Sequence, residues 1–159
     1  MSDALYVGRR FRTLNVMDEG MREGLTIEID TSLPGERVVR TLERLCDWRG
    51  FPQAIRCDNG PEFTSQVFVD WCHRMAITLR YIQPGKPNQN AYIERFNRTY
   101  REEVLNSYLF EDLDDVREIT CDWLLSYNER RPHDALGGLP PALFRQQHTR
   151  KTSTLELST

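Results

Sequence analysis

The 159 residues include 39% hydrophobic and 28% charged side chains, with a formal net charge of −3. That length suits one domain with a core of its own, and the balance excludes a wholly disordered chain and a uniformly basic nucleic-acid coat. No apolar run of about 18 residues could cross a membrane, and residues 1–9 show no basic-then-apolar leader, so the expected compartment is the cytoplasm.

Residues 5–7 predict the end of a strand. Residues 11–17 and 25–30 alternate apolar and polar, and predict an antiparallel hairpin closed by a turn at 18–24. The period then becomes helical: Val38, Val39, Leu42, Leu45 and Cys46 form a stripe, with Ser32 or Thr31 as cap and Gly50 and Pro52 as stop. A short strand follows at 54–58, a helix at 65–76, a fifth strand at 78–82 and a loop at 83–90. Residues 90–108 predict a helix. A last helix runs from Leu113 to about Tyr127, capped by Asp112 or Asp114 and stopped by Pro132. Beyond Phe144 the chain is polar and rich in Thr and Ser, which predicts a disordered tail over 145–159 after a core of 1–144. This order is α/β, a mixed five-stranded sheet flanked by helices. Trp48, Trp71 and Trp123 fall on apolar stripes and are assigned to the core or its edge; Tyr92 and Tyr100 either stack on bases or pack on the sheet, with packing the expectation.

Cys46, Cys57, Cys72 and Cys121 make no metal-binding spacing with one another or with the three histidines, and are read as buried free thiols. The charge is unevenly spread. Residues 80–101 hold five basic side chains and one acid, whereas residues 102–122 hold eight acids and one base. A local basic patch attracts phosphate whatever the total charge.

Two segments concentrate chemistry. In Ile55-Arg56-Cys57-Asp58-Asn59-Gly60-Pro61-Glu62-Phe63 an acid ends a short strand before a tight turn, at the sheet edge where open α/β sheets bind ligands. Asp and Asn also favour such turns for backbone reasons alone. In Asn90-Ala91-Tyr92-Ile93-Glu94-Arg95-Phe96-Asn97-Arg98-Thr99-Tyr100-Arg101, helical spacing puts Asn90, Glu94, Arg98 and Arg101 on one side and Ile93, Phe96 or Asn97, and Tyr100 on the other. A solvated helix face would look the same.

Taken together, and joined by Gln83-Pro84-Gly85-Lys86-Pro87 and by Tyr127-Asn128-Glu129-Arg130-Arg131-Pro132-His133, these segments resemble the DDE transposases and retroviral-type integrases. The likeness is strongest to second-frame transposases of the insertion-sequence three family, and covers about residues 3–144. It implies an RNase H-like fold, DNA cleavage and strand transfer in transposition, and Asp58 and Glu94 as catalytic, metal-binding carboxylates. The implied cofactor is Mg²⁺ or Mn²⁺ in a two-metal site, since two ions about 4 Å apart can serve both the attacking and the leaving oxygen of an in-line displacement. Lys86, Asn90, Arg95, Arg98 and Arg101 are the candidate DNA contacts. The implied partners are transposon-end and target DNA and a second copy or full-length transposase. The implied location is the bacterial cytoplasm, nucleoid-associated when bound to DNA.

The family's third carboxylate, an Asp on the first strand, falls just upstream of Met1 by this alignment, so the chain is expected to be truncated, with an incomplete metal site and impaired activity. Asp3 lies on the same strand but is displaced by ~13 Å. Asp3, Asp18 and Asp30 are read as turn or edge acids. The alternative function is a non-catalytic DNA-binding or dimerising remnant.

Overall fold

The computed structural model describes residues 1–148 and 154–159. Its sheet is organised around β2 (Arg10–Asp18). From Phe11 onward this strand is covered on both faces: Leu14 and Val16 point to one side, Phe11 and Met17 to the other. β1 (Ser2–Ala4) pairs antiparallel with the start of β2, and β3 (Glu23–Asp30) pairs with nearly all of it, with a bulge between Val16 and Met17. β4 (Ala54–Cys57) and β5 (Thr78–Tyr81) are parallel to each other. Gly8, at φ +87°, turns the chain between β1 and β2, a conformation that glycine adopts without a Cβ penalty.

One apolar layer lies under α1 (Gly35–Arg49), α2 (Pro61–Thr64) and α3 (Gln66–Arg74), where Val38, Leu42, Phe63, Phe68 and Trp71 meet Leu14, Val16 and Ile55. The other lies under α4 (Ala91–Tyr100) and α5 (Leu113–Arg130), where Ile93, Phe96, Tyr100, Val116 and Tyr127 meet Phe11, Met17 and Ile29. Phe96 stands edge-on to Tyr127 at 5.0 Å, and Trp123 packs on both rings. A π-helical turn, Arg101–Leu105, extends α4.

Several expectations change. The first strand is Ser2–Ala4, and residues 5–7 belong to the loop after it. α1 starts at Gly35 with Pro34 at its cap and no side-chain capping bond, so neither Thr31 nor Ser32 caps it; a residue preceding proline is held extended, which keeps Leu33 out of the helix. Asp112 does cap α5, accepting the Asp115 N–H at 2.9 Å. Trp71 is buried, but Trp48 is 61% exposed on the solvent side of α1. Cys121 is exposed; the other three thiols are buried, and all four are free.

The largest change concerns 145–159. Residues 149–153 lie outside the described residues. The expected tail otherwise contributes the end of α6 (Pro141–Gln147) and a sixth strand, β6 (Thr154–Ser158), inserted between β2 and β4. The alternation in Thr-Leu-Glu-Leu-Ser explains it. Leu155 and Leu157 bury in the α1–α3 layer, while Glu156 turns to the other face, where Arg56 and a backbone N–H receive it. The polar composition of the segment masked a two-residue period.

Candidate active site

β4 ends at Cys57, and Asp58 follows at once. Asp58 is exposed, and its Oδ1 accepts the Gly60 N–H at 2.7 Å, closing the turn before Pro61 opens α2. A Cβ on Gly60 would stand 2.9 Å from that oxygen and 3.0 Å from Oε1 of Glu62, so the two carboxylates flank this glycine. Glu62, only 5% exposed, pairs with Arg12 at 3.3 Å and accepts the Thr159 hydroxyl. Sequence reasoning passed over Glu62 as a site acid. Its signal was its place four residues after Asp58, just inside a proline-led helical turn.

Glu94 sits exposed in the first turn of α4, opposite the buried Ile93, Phe96 and Tyr100. β6 borders both acid-bearing elements. It runs parallel to β4 with Arg56 opposite Glu156, and this register carried two residues further sets Ser158 level with Asp58. It runs antiparallel to β2 with Ser158 opposite Asn15. Asn97, on α4, donates to Ser158 Oγ at 2.9 Å and accepts from the Asn15 amide at 2.7 Å. One turn earlier, the Ile93 N–H donates to Glu156 at 2.8 Å. Burial raises the Glu156 carboxyl above its ordinary range, partly opposed by the Ile93 N–H and by Arg56. Among the described residues no group of three or more His, Cys, Asp or Glu is placed to hold a metal ion.

Of the expected DNA contacts, Lys86 and Arg98 are exposed, the former in the loop before the short 3-10 turn Pro87–Asn90. Asn90 ends that turn without a side-chain cap to α4. Arg101 is tied to Asp3 at 3.0 Å and to the Ser2 carbonyl at 2.9 Å, so it anchors β1. Asp18 caps the β2–β3 turn at the Gly20 and Met21 N–H groups and pairs with Arg49, and Asp30 lies 3.3 Å from Arg37; both are structural acids. Burial pushes the thiols of Cys57 and Cys72 up to about 12, which keeps them protonated and unreactive.

Arg95 leaves the Glu94 stripe and lines a cleft of about 240 Å³ with Arg22, Arg131, His133, Tyr92 and Tyr127. Arg22 stacks on Tyr92 at 3.5 Å from a left-handed backbone conformation, φ 54°. Burial, then Arg131, Arg22 and Arg95, lower the His133 pKa. This cleft gives the Tyr127-to-His133 motif its physical role. Tyr127 packs in the core, Asn128 exchanges two hydrogen bonds with the Gly24 backbone at 2.9 and 2.7 Å, and Arg131 and His133 face the cavity.

The family model "Integrase core domain" matches residues 2–87, and a second model of that description matches residues 75–141. The Insertion element IS476 uncharacterized 39.2 kDa protein of Xanthomonas euvesicatoria is 45% identical over 142 residues, covering 89% of this chain and 41% of the relative. The Insertion element IS407 uncharacterized 31.7 kDa protein of Burkholderia multivorans is 44% identical over 146 residues, covering 92% and 53%. The chain therefore spans about half the length of these relatives or less. The HTLV-2 integrase catalytic core domain in complex with magnesium (trimeric form) superposes with a TM-score of 0.71 at 18% identity, covering 91% of this chain and 90% of that one. The BIV integrase catalytic core domain gives 0.68 at 18% identity, covering 94% and 93%. The shared fold is RNase H-like, and the chain belongs to the integrase core domain family.

Proposed function

We propose that this chain is the catalytic core of an insertion-element transposase, cutting DNA and transferring strands. The observation that supports this best is that Asp58 and Glu94 are exposed carboxylates, one just past the end of β4 and one in the first turn of α4, two elements that both contact β6. Two carboxylates from separate elements suit one hard divalent cation that keeps positions open for water and phosphate. They do not make the three-acid set that two bridged ions would use. Asp58 and Glu94 would hold Mg²⁺ or Mn²⁺, which when bound polarises the scissile phosphate. The chain's own tasks are to hold these two oxygens and to bring the DNA backbone against α4. Lys86, Asn90, Arg95 and Arg98 would do the latter through phosphate contacts, joined by Arg22, Arg131 and His133 of the cleft.

The partners in this reading are element-end and target DNA and a second copy of the chain or a full-length transposase. The place of action is the bacterial cytoplasm at the nucleoid. Among the described residues no helix is long and apolar enough to cross a membrane. A strand-transfer assay with labelled element ends tests the function. Asp58→Asn and Glu94→Gln should each lower product by at least about a hundredfold; undiminished joining by Asp58→Asn removes the assignment.

The non-catalytic remnant is favoured by one specific observation, the serine at the middle of the Asn15–Ser158–Asp58 row. It predicts DNA retention that falls with salt and is unaffected by Glu94→Gln, with no joined product.

A further inference from the structure

Three separate elements build the cleft beside α4. Arg22 comes from the β2–β3 turn, Arg95 from α4, and Arg131 and His133 from the chain just past α5. Most of them are held in place by contacts of their own. Arg22 lies on the Tyr92 ring at 3.5 Å, and Arg131 is bound to Glu103. The His133 N–H donates to the Leu139 carbonyl at 3.2 Å, and its carbonyl accepts from Leu136 and Gly138 at 3.0 and 2.9 Å. Its ring stands edge-on to Tyr127 at 5.2 Å. Groups fixed in this way lose little further freedom when a ligand binds.

The polar atoms of the cleft are incompletely matched. Among the described residues Arg22 and Arg95 form no ion pair. Arg131 engages Glu103 through one terminal nitrogen, while its Nε and the Nε2 of His133 are buried without a partner among the described residues. Buried polar atoms left unbonded are costly, so two in one cleft point to a ligand with acceptor oxygens. The acids here are Glu103, engaged with Arg131, and Asp134, exposed in the lining. Three guanidiniums against two carboxylates leave one positive charge, and protonation of His133 makes it two. Burial and the three arginines hold the His133 pKa down, against Asp134, and an anion among them would release it.

Shape narrows the anion. Met17 and Tyr127 are almost fully buried and form the floor, so a ligand enters from the open side. At about 240 Å³ the cleft is smaller than the roughly 300–1,000 Å³ of sites for drug-sized ligands, and admits one compact group. A phosphodiester within a strand carries chain on two of its oxygens and lies along a surface. A phosphate monoester has a single ester bond, enters end-on, and brings about two negative charges and three free acceptor oxygens near neutral pH.

We propose that the cleft is a receptor for a phosphate monoester, and that on DNA it takes the terminal phosphate of a strand, whereas Lys86 and Arg98 meet internal phosphates. The inference rests on the DNA-cutting reading given above for the source of that end. It gives the Tyr127-to-His133 segment a ligand of stated chemistry.

The test is fluorescence anisotropy of the full chain with one short, internally labelled oligonucleotide. It carries a 5′-phosphate, a 3′-phosphate or hydroxyls at both ends, at one salt concentration. A phosphorylated end should bind about tenfold more tightly than the hydroxyl form. Arg95 is exposed on α4, so Arg95→Gln spares the core and should remove most of that ratio. Arg98→Gln, outside the cleft, should weaken all three forms and leave the ratio unchanged. Equal binding of the three forms, or a ratio that survives Arg22→Gln with Arg95→Gln, overturns the DNA-end assignment. Thymidine monophosphate isolates the monoester: it should raise the pKa of His133 read from its ring proton resonances, and thymidine should not. A His133 indifferent to the monophosphate overturns the receptor itself. Failure of the DNA-cutting reading looks different: strand transfer would be absent or independent of Asp58 and Glu94, while the monophosphate still shifts His133.

Discussion

Glu156 and Arg56 meet at 3.0 Å across the parallel β4–β6 pair, the carboxylate fully buried and the guanidinium largely so. Arg56 also holds Glu19 at 3.0 Å, and the second Glu156 oxygen takes the Ile93 N–H. One residue of β6 thus ties β4, the β2–β3 turn and the start of α4 together. Arg56→Ala leaves Glu156 buried without its counter-charge and should destabilise by about 3 kcal/mol, measured by urea unfolding. Glu156→Gln keeps an acceptor for Ile93 and should cost clearly less.

The same carboxyl gives stability a pH dependence. Its folded pKa is raised, so the folded state binds this proton more tightly than the unfolded chain does. Its contribution is therefore most favourable below the ordinary carboxylate value, and is lost as pH rises through the raised folded value. The melting temperature of the unaltered chain, relative to Glu156→Gln, should improve as pH falls from 7 toward the carboxylate range. A difference constant with pH would show that Glu156 does not titrate in this window.

Asn128 reaches from α5 to Gly24 and satisfies both backbone groups of that residue, where the register of β3 shifts beside the bulge. Gly24 has no room for a side chain, since a Cβ would sit 2.6 Å from Leu124 and 2.7 Å from Phe96. Asn128→Ala strands one N–H and one carbonyl in a partly buried place and should cost about 2 kcal/mol. Chemical denaturation measures it, and a loss under half that size would mean water replaces the amide.

Much of this was legible in the sequence, for identifiable reasons. Alternation gave β2 and β3 and a 3.6-residue stripe gave α1 and α4, whereas Asp58 and Glu94 stood out as candidate site acids only through the family resemblance, since a tight turn and a solvated helix face account equally well for each taken alone. β6 was hidden because its alternation is only five residues long and set among Thr, Ser and Lys, with a partner strand about 100 residues away. Arg101 read as a free cation because helical spacing shows the face but not Asp3, which reaches it from β1. Glu62 was hidden by a helix of four residues, too short to have a period. The Tyr127–His133 motif gained a role only once α4, α5 and the β2–β3 turn closed around one cleft.

That cleft predicts a salt-dependent DNA contact. Arg22→Gln and Arg95→Gln should each lower the slope of log affinity against log salt by about 1 and weaken binding to all sequences alike, as read by fluorescence anisotropy. A phosphate among Arg22, Arg95, Arg131 and His133 would offset the positive neighbours that now hold the His133 pKa down. His133 should therefore take up a proton on binding, its pKa should rise with DNA present, and affinity should increase as pH falls. Proton resonances of His133 that titrate identically with and without DNA would exclude this.

Gly60 supplies the sharpest separation of site from fold. Its backbone, at φ −58°, is one that any residue can adopt. Alanine there therefore brings no conformational strain, and its methyl would meet Asp58 Oδ1 at 2.9 Å and Glu62 Oε1 at 3.0 Å. The Glu62 carboxylate is held by Arg12 and Thr159, whereas Asp58 is exposed and, among the described residues, fixed by its bond to the Gly60 N–H alone, so Asp58 is the side chain that gives way. Gly60→Ala should keep its stability within about 1 kcal/mol while losing most of the Mn²⁺ binding and strand transfer that depend on Asp58. Calorimetric melting together with Mn²⁺ titration checks both halves. A variant that melts normally and binds Mn²⁺ as the unaltered chain does would show that the rotamer of Asp58 held by Gly60 is not the one that serves the cation.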